Sequence, residues 1–156
     1  MSPRITGTIR LEAPGPARKF VRAIASRIAW ELETENAGQI REAGGTVSYR
    51  RGYNVRYRQG LFTSFDPGEF VVAADGKTIT IRYSLGLGPA LFVAALVPCG
   101  FAYALYVSRE LATILIVFAG IVGALGAGFA FNLWRIRAWL RAAAAAAIAK
   151  ATAPKD

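Results

Sequence analysis

Arginine and tyrosine crowd one stretch of this chain, Tyr49-Arg50-Arg51-Gly52-Tyr53-Asn54-Val55-Arg56-Tyr57-Arg58. Extended backbone sends alternate side chains to opposite faces. Arg56 and Arg58 therefore share one strand face, Val55 and Tyr57 take the other, and Arg50 joins the arginines if the segment is a hairpin. Guanidinium groups so placed can hold an anion, each through parallel N–H donors. Three readings follow. Arg50, Arg56 and Arg58 form a solvated face of an arginine-rich protein, or a contact for anionic lipid headgroups or a partner. With tyrosines beside them they also have the elements of a nucleic-acid platform. The spacing matches no RNA-binding signature, and Val55 and Tyr57 point to a core, so nucleic acid ranks last.

Other chemistry is sparse. The chain has no histidine and one cysteine, Cys99. That excludes Ser-His-Asp and Cys-His arrangements and any histidine-containing metal site. Cys99 sits in an apolar run with no neighbouring cation to activate it. Glu31, Glu33 and Glu35 are close enough in sequence to attract a hard cation. Their spacing reads better as a solvated polar face. Gly86-Leu87-Gly88-Pro89 lacks the Lys-Ser/Thr ending of a phosphate loop and reads as a flexible entry to the helix that follows. No catalytic residue, cofactor or metal site is assigned.

The bulk composition points to a membrane. Hydrophobic residues make up 54% of 156 residues, and the formal net charge is +9. Two uncharged apolar runs, 85–107 and 111–134, are separated by Ser108, Arg109 and Glu110. A transmembrane helix needs about 20 apolar residues, so the sequence predicts a two-helix transmembrane hairpin over 85–134. Basic residues flank the hairpin: Lys77 and Arg82 before it, and Arg135, Arg137, Arg141 and Lys150 after it. The loop has only Arg109, so both termini are expected in the cytoplasm. The first residues show no apolar signal-peptide core. Arginine and alanine bias fits a GC-rich bacterial genome, and the expected location is the bacterial inner membrane. Tyr103 and Tyr106 are expected at the outer interface, with Tyr83, Trp134 and Trp139 at the inner one. Pro98 should kink the first span.

In the second run, Gly120, Gly123, Ala124, Ala127 and Gly128 place small residues four apart, the pattern of close helix packing in lipid. Packing between the two spans accounts for it most simply. A homo-oligomer or larger membrane complex is the other use. Neither run has an ionisable group, which argues against a charged transport pathway.

Residues 1–84 read as a cytosolic α+β domain, a small antiparallel sheet in the order β-α-β-β-β-β with one amphipathic helix. Ile5, Gly7, Ile9 and Leu11 alternate with polar residues. From Ala17 to about Asn36, Phe20, Val21, Ile24, Ile28 and Leu32 recur at helical spacing. That helix ends near Ala37-Gly38 or runs on to Gly44-Gly45. Strands are expected around Val47-Tyr49, Val55-Tyr57, Phe70-Ala74 and Lys77-Tyr83. Asp66-Pro67-Gly68 reads as a turn with Gly68 at positive φ, and Asp75-Gly76 as a hairpin turn. Ile79, Ile81 and Tyr83 should share one face. The helix has Arg18, Lys19 and Arg22 early and its glutamates late, against the helix dipole. Its basic end is therefore a candidate headgroup contact. Residues 135–156 read as a basic, alanine-rich helical tail. The function expected from all this is a non-enzymatic inner-membrane protein, an accessory subunit or scaffold. An oligomeric channel or transporter component is the alternative.

Overall fold

A computed structural model describes residues 3–35, 37–50, 65–107 and 111–153. The strands are β1 (Arg4–Glu12), β2 (Gln39–Ala43), β3 (Thr46–Arg50), β4 (Gly68–Asp75) and β5 (Thr78–Gly86). The helices are α1 (Arg18–Thr34), α2 (Gly88–Val107) and α3 (Leu111–Thr152). All sheet pairings are antiparallel, in the order β1-β5-β4-β3-β2.

One face of the sheet is apolar because its strands alternate. Ile9, Val47, Phe70, Val72, Ile79, Ile81 and Leu85 are buried on it, and the register sets Ile81 beside both Ile9 and Val72. Thr6, Thr8, Arg10, Ser48, Glu69 and Arg82 lie at the intervening positions and form the polar outer face. Helix α1 covers the apolar face with Phe20, Ile24, Ile28 and Leu32. It starts at the β4–β5 turn, where Ala17 N–H donates to Gly76 O at 3.1 Å.

Two tyrosines close the sheet over glycines. Tyr83 stands directly opposite Gly7, and Tyr49 opposite Gly68. A Cβ on Gly7 would run into the Tyr83 ring, and one on Gly68 into the Tyr49 ring. A glycine with no side chain leaves room for its cross-strand aromatic to fold over the backbone. Gly68 therefore belongs to β4 for its close approach to Tyr49. It is absent from the positive-φ glycines, which are Gly38, Gly44, Gly45 and Gly76, so the expected turn conformation at Gly68 is corrected. Gly44-Gly45 ends no helix: with φ of 55° and 89° it turns the β2–β3 hairpin. Strand β2 forms where the sequence reading had a helix end. The strand expected at Val55-Tyr57 lies outside the described residues.

The largest correction concerns the two-helix transmembrane hairpin followed by a helical extension. Among the described residues one helix is long and apolar enough to cross a membrane, and it is α3, a single helix of 42 residues. In α2 the described apolar stretch is Ala95–Ala104, with Pro98 inside the helix. A hydrocarbon core is about 30 Å thick. In α3, 42 residues rise about 63 Å, twice that thickness. No breaker interrupts Arg135 to Ala147, and alanine-rich sequence propagates a helix readily. The apolar run and the supposed tail are thus one element.

The C-terminal part of α3 is core. Ile136, Leu140 and Ala144 are fully buried, and Ala143 and Ala147 nearly so. These positions recur at helical spacing on one face, and they join the same hydrophobic cluster as α1 and the sheet. Two of the residues expected at an inner interface, Tyr83 and Trp139, belong to this packing. Tyr83 is buried, and its hydroxyl accepts from Arg137 Nε at 2.8 Å. Trp139 packs on Phe70 with ring centroids 6.0 Å apart. Trp134 is exposed and stacks on Phe131.

Candidate functional site

Of the three arginines singled out in the sequence, Arg50 is described, at the end of β3. Arg56 and Arg58 lie outside the described residues. The structure joins Arg50 to two arginines that local spacing does not connect with it, Arg4 on β1 and Arg41 on β2. The three line a recess of about 260 Å³ with Ser48, Pro67, Gly68 and Glu69.

The sheet register explains the convergence. Arg50 pairs with Gln39, and Arg41 pairs with Ser48, which pairs with Glu69. On the far edge Arg4 pairs with Gly86. Between these edges the chain is held close: Asp66 N–H donates to Gly86 O at 3.0 Å, and Gly86 N–H donates to Pro67 O at 2.7 Å. Glycine and proline at the centre leave low ground between long arginines on either side. Arg4, Arg41 and Arg50 are all exposed, and none is in an ion pair among the described residues, where the pair formed is Arg27–Glu31 at 2.6 Å.

The recess lies at a defined end of the fold. It borders Gly86, which ends β5 and precedes α2. At the same end Phe65 meets Phe129 of α3, ring centroids 5.7 Å apart. From there α3 runs along the sheet, reaching Tyr83 with Arg137 and Phe70 with Trp139. The basic start of α1 is at the other end, beside Gly76. Nine-residue β5 separates the two ends by about 26 Å. Arg18 and Arg22 line a different depression, with Glu42 and Gly44. The expected headgroup contact at the start of α1 is therefore far from the point where the apolar half of α3 leaves the domain.

Tyr49 lies beneath the recess. Its hydroxyl donates to Phe65 O at 3.1 Å, and burial pushes the phenol well above its ordinary pKa, with the nearby Asp66 carboxylate adding to the effect. It is a structural tyrosine, neutral over the ordinary pH range.

Among the described residues, the small-residue ridge on α3 is uncovered. A Cβ on Gly120, Gly123 or Gly128 would meet nothing within 4 Å, and Ala124 and Ala127 are exposed. Helices α2 and α3 meet elsewhere, through Phe101 and Phe118 at 4.5 Å between centroids. Glu31 of the acidic cluster is taken by Arg27. Among the described residues, no three of His, Cys, Asp or Glu come together in a metal-binding group. Cys99 is exposed on α2.

Comparison with known proteins assigns no family. No family model matches the chain, and no curated protein matches it. Among solved structures, the X-ray structure of norcoclaurine synthase from Thalictrum flavum is similar at 11% identity and a TM-score of 0.29, over 78% of this chain and 87% of that one. A likeness at that level bears on neither the fold nor the chemistry of this protein.

Proposed function

We propose that this is a non-enzymatic membrane protein whose apolar half of α3 lies in a bilayer and whose basic α+β domain is held at the surface as an accessory subunit or scaffold. The observation behind the reading is the continuity of α3. Its N-terminal half is apolar and outward-facing, with Ile116 74% and Val117 56% exposed, while its C-terminal half is domain core. So much exposed apolar surface is unfavourable in water and favourable in lipid. A linker-free helix also fixes the domain's height and orientation at the membrane. The basic residues of the domain and of α3 beyond Trp134 suit the cytoplasmic leaflet, and the composition suits a bacterial inner membrane. The uncovered ridge from Gly120 to Gly128 is available to a helix of a second copy or of a larger complex.

The test is alkaline extraction of native membranes containing the full chain. The wild type stays with the membrane. Arginine in place of Ile121 and Leu125 releases a substantial fraction, since each arginine near a helix centre costs about 2.5–3.5 kcal/mol. Wild-type protein in the soluble fraction refutes the anchor. Gentle extraction, followed by the mass of the purified particle, then separates an accessory subunit from a self-associating scaffold.

A further inference from the structure

Arginines exposed singly on a surface need no explanation, but Arg4, Arg41 and Arg50 come from three strands to one recess. No carboxylate pairs with them among the described residues. Three positive charges around one recess favour an anion within it. Glu69 is the acid in the lining, so the formal charge of the recess remains positive. Its volume, about 260 Å³, is below the roughly 300–1,000 Å³ of sites for drug-sized ligands. It suits a phosphate with a few attached atoms.

We infer that this recess binds a phosphate group, and that the phosphate is that of a phosphodiester lipid headgroup; the second part rests on the membrane reading above. Planar guanidinium groups match phosphate oxygens two at a time. The Ser48 hydroxyl is a further donor, and the Glu69 carboxylate accepts from a headgroup hydroxyl or ammonium. Position favours lipid as the source. The recess lies at the end of the sheet marked by Gly86, where Phe65 meets Phe129 and the apolar half of α3 leaves the domain. A headgroup therefore stands near the recess, whereas Arg10 and Arg82, on the same outer face, are farther along β1 and β5.

The experiment is native mass spectrometry of the full chain released from detergent, titrated with phosphatidylglycerol and, separately, with a glucosyl diacylglycerol of the same acyl chains. The wild type retains phosphatidylglycerol in preference to the phosphate-free lipid. Each arginine near a membrane surface contributes about fivefold in affinity, so Arg4→Gln, Arg41→Gln and Arg50→Gln together lower that preference about a hundredfold. Arg10→Gln with Arg82→Gln changes it less than the triple variant does. Retention of the preference by the triple variant, or no preference in the wild type, overturns the inference. Millimolar inorganic phosphate separates the sources: displacement of the lipid leaves the phosphate site and overturns the lipid assignment, and continued lipid binding supports both. Vesicle flotation separates the two levels of the argument. A triple variant that still floats on zwitterionic vesicles but has lost the preference leaves the anchor intact, while a wild type that fails to float loses the anchor whatever its phosphate binding.

Discussion

Leu140→Ala is the sharpest test of the claim that the C-terminal half of α3 is domain core. Leu140 is fully buried in the cluster shared by α1, α3 and the sheet. Alanine removes three carbons, at roughly 0.8 kcal/mol of lost burial for each, so the transfer loss alone is about 2.4 kcal/mol. The cavity left between two helices and a sheet adds to it, and Leu→Ala changes in packed cores fall at about 2–5 kcal/mol. Against a domain stability of about 5–15 kcal/mol, this is a large fraction. The assay is urea unfolding of the full chain in mild detergent, followed by tryptophan fluorescence, since Trp139 packs on Phe70 inside the domain. With a slope of about 1–3 kcal/mol/M, the midpoint falls by about 1–2 M. Leu125→Ala is the internal control. That side chain is 41% exposed on the apolar half, and its loss leaves the midpoint of the domain nearly unchanged. A shift for Leu140→Ala no larger than for Leu125→Ala refutes the reasoning and returns the C-terminal half of α3 to the status of a tail.

Other outcomes follow from the same packing. Gly7→Ala and Gly68→Ala each drive a methyl group into a tyrosine ring and cost about 1–3 kcal/mol; Gly15→Ala, with open space around it, is much milder in the same thermal melts. Tyr83→Phe removes the acceptor of Arg137 Nε and lowers stability by about 1 kcal/mol, with no loss of membrane retention. The raised pKa of Tyr49 makes the folded state hold its phenolic proton where the unfolded chain releases it. That stabilisation is therefore complete below pH about 10 and declines as pH rises beyond it. A melting series from pH 8 to 11 shows the decline, and Tyr49→Phe flattens it.

Some of the fold is legible because its signals are local. Alternation places Ile79, Ile81 and Tyr83 on one face, and all are buried. The periodic stripe from Phe20 to Leu32 is likewise the buried face of α1. Strand β2 is not legible in the same way. Gln39–Ala43 has little apolar alternation, and it is a strand because Gly44-Gly45 turns it back onto β3. Of the candidate site, local spacing reaches Arg50 alone among the described residues. Arg4 and Arg41 are 46 and 9 residues away in the chain, and only the register of five strands brings them to it.

The sequence by itself determined that the second half of the chain is too apolar to be solvated throughout, and that the chain has no histidine and a single cysteine. Those properties depend on composition and require no knowledge of contacts. What the tertiary structure decided is the use of α3. An unbroken run of helix formers is compatible with a span plus a free tail and with a span that continues into a core. The choice depends on whether Ile136, Leu140 and Ala144 find an apolar surface, and α1 and the sheet supply it. The tyrosines follow the same rule. Amphipathic Tyr83 suits a membrane interface by type, yet it is buried because Gly7 leaves room for its ring and Arg137 satisfies its hydroxyl.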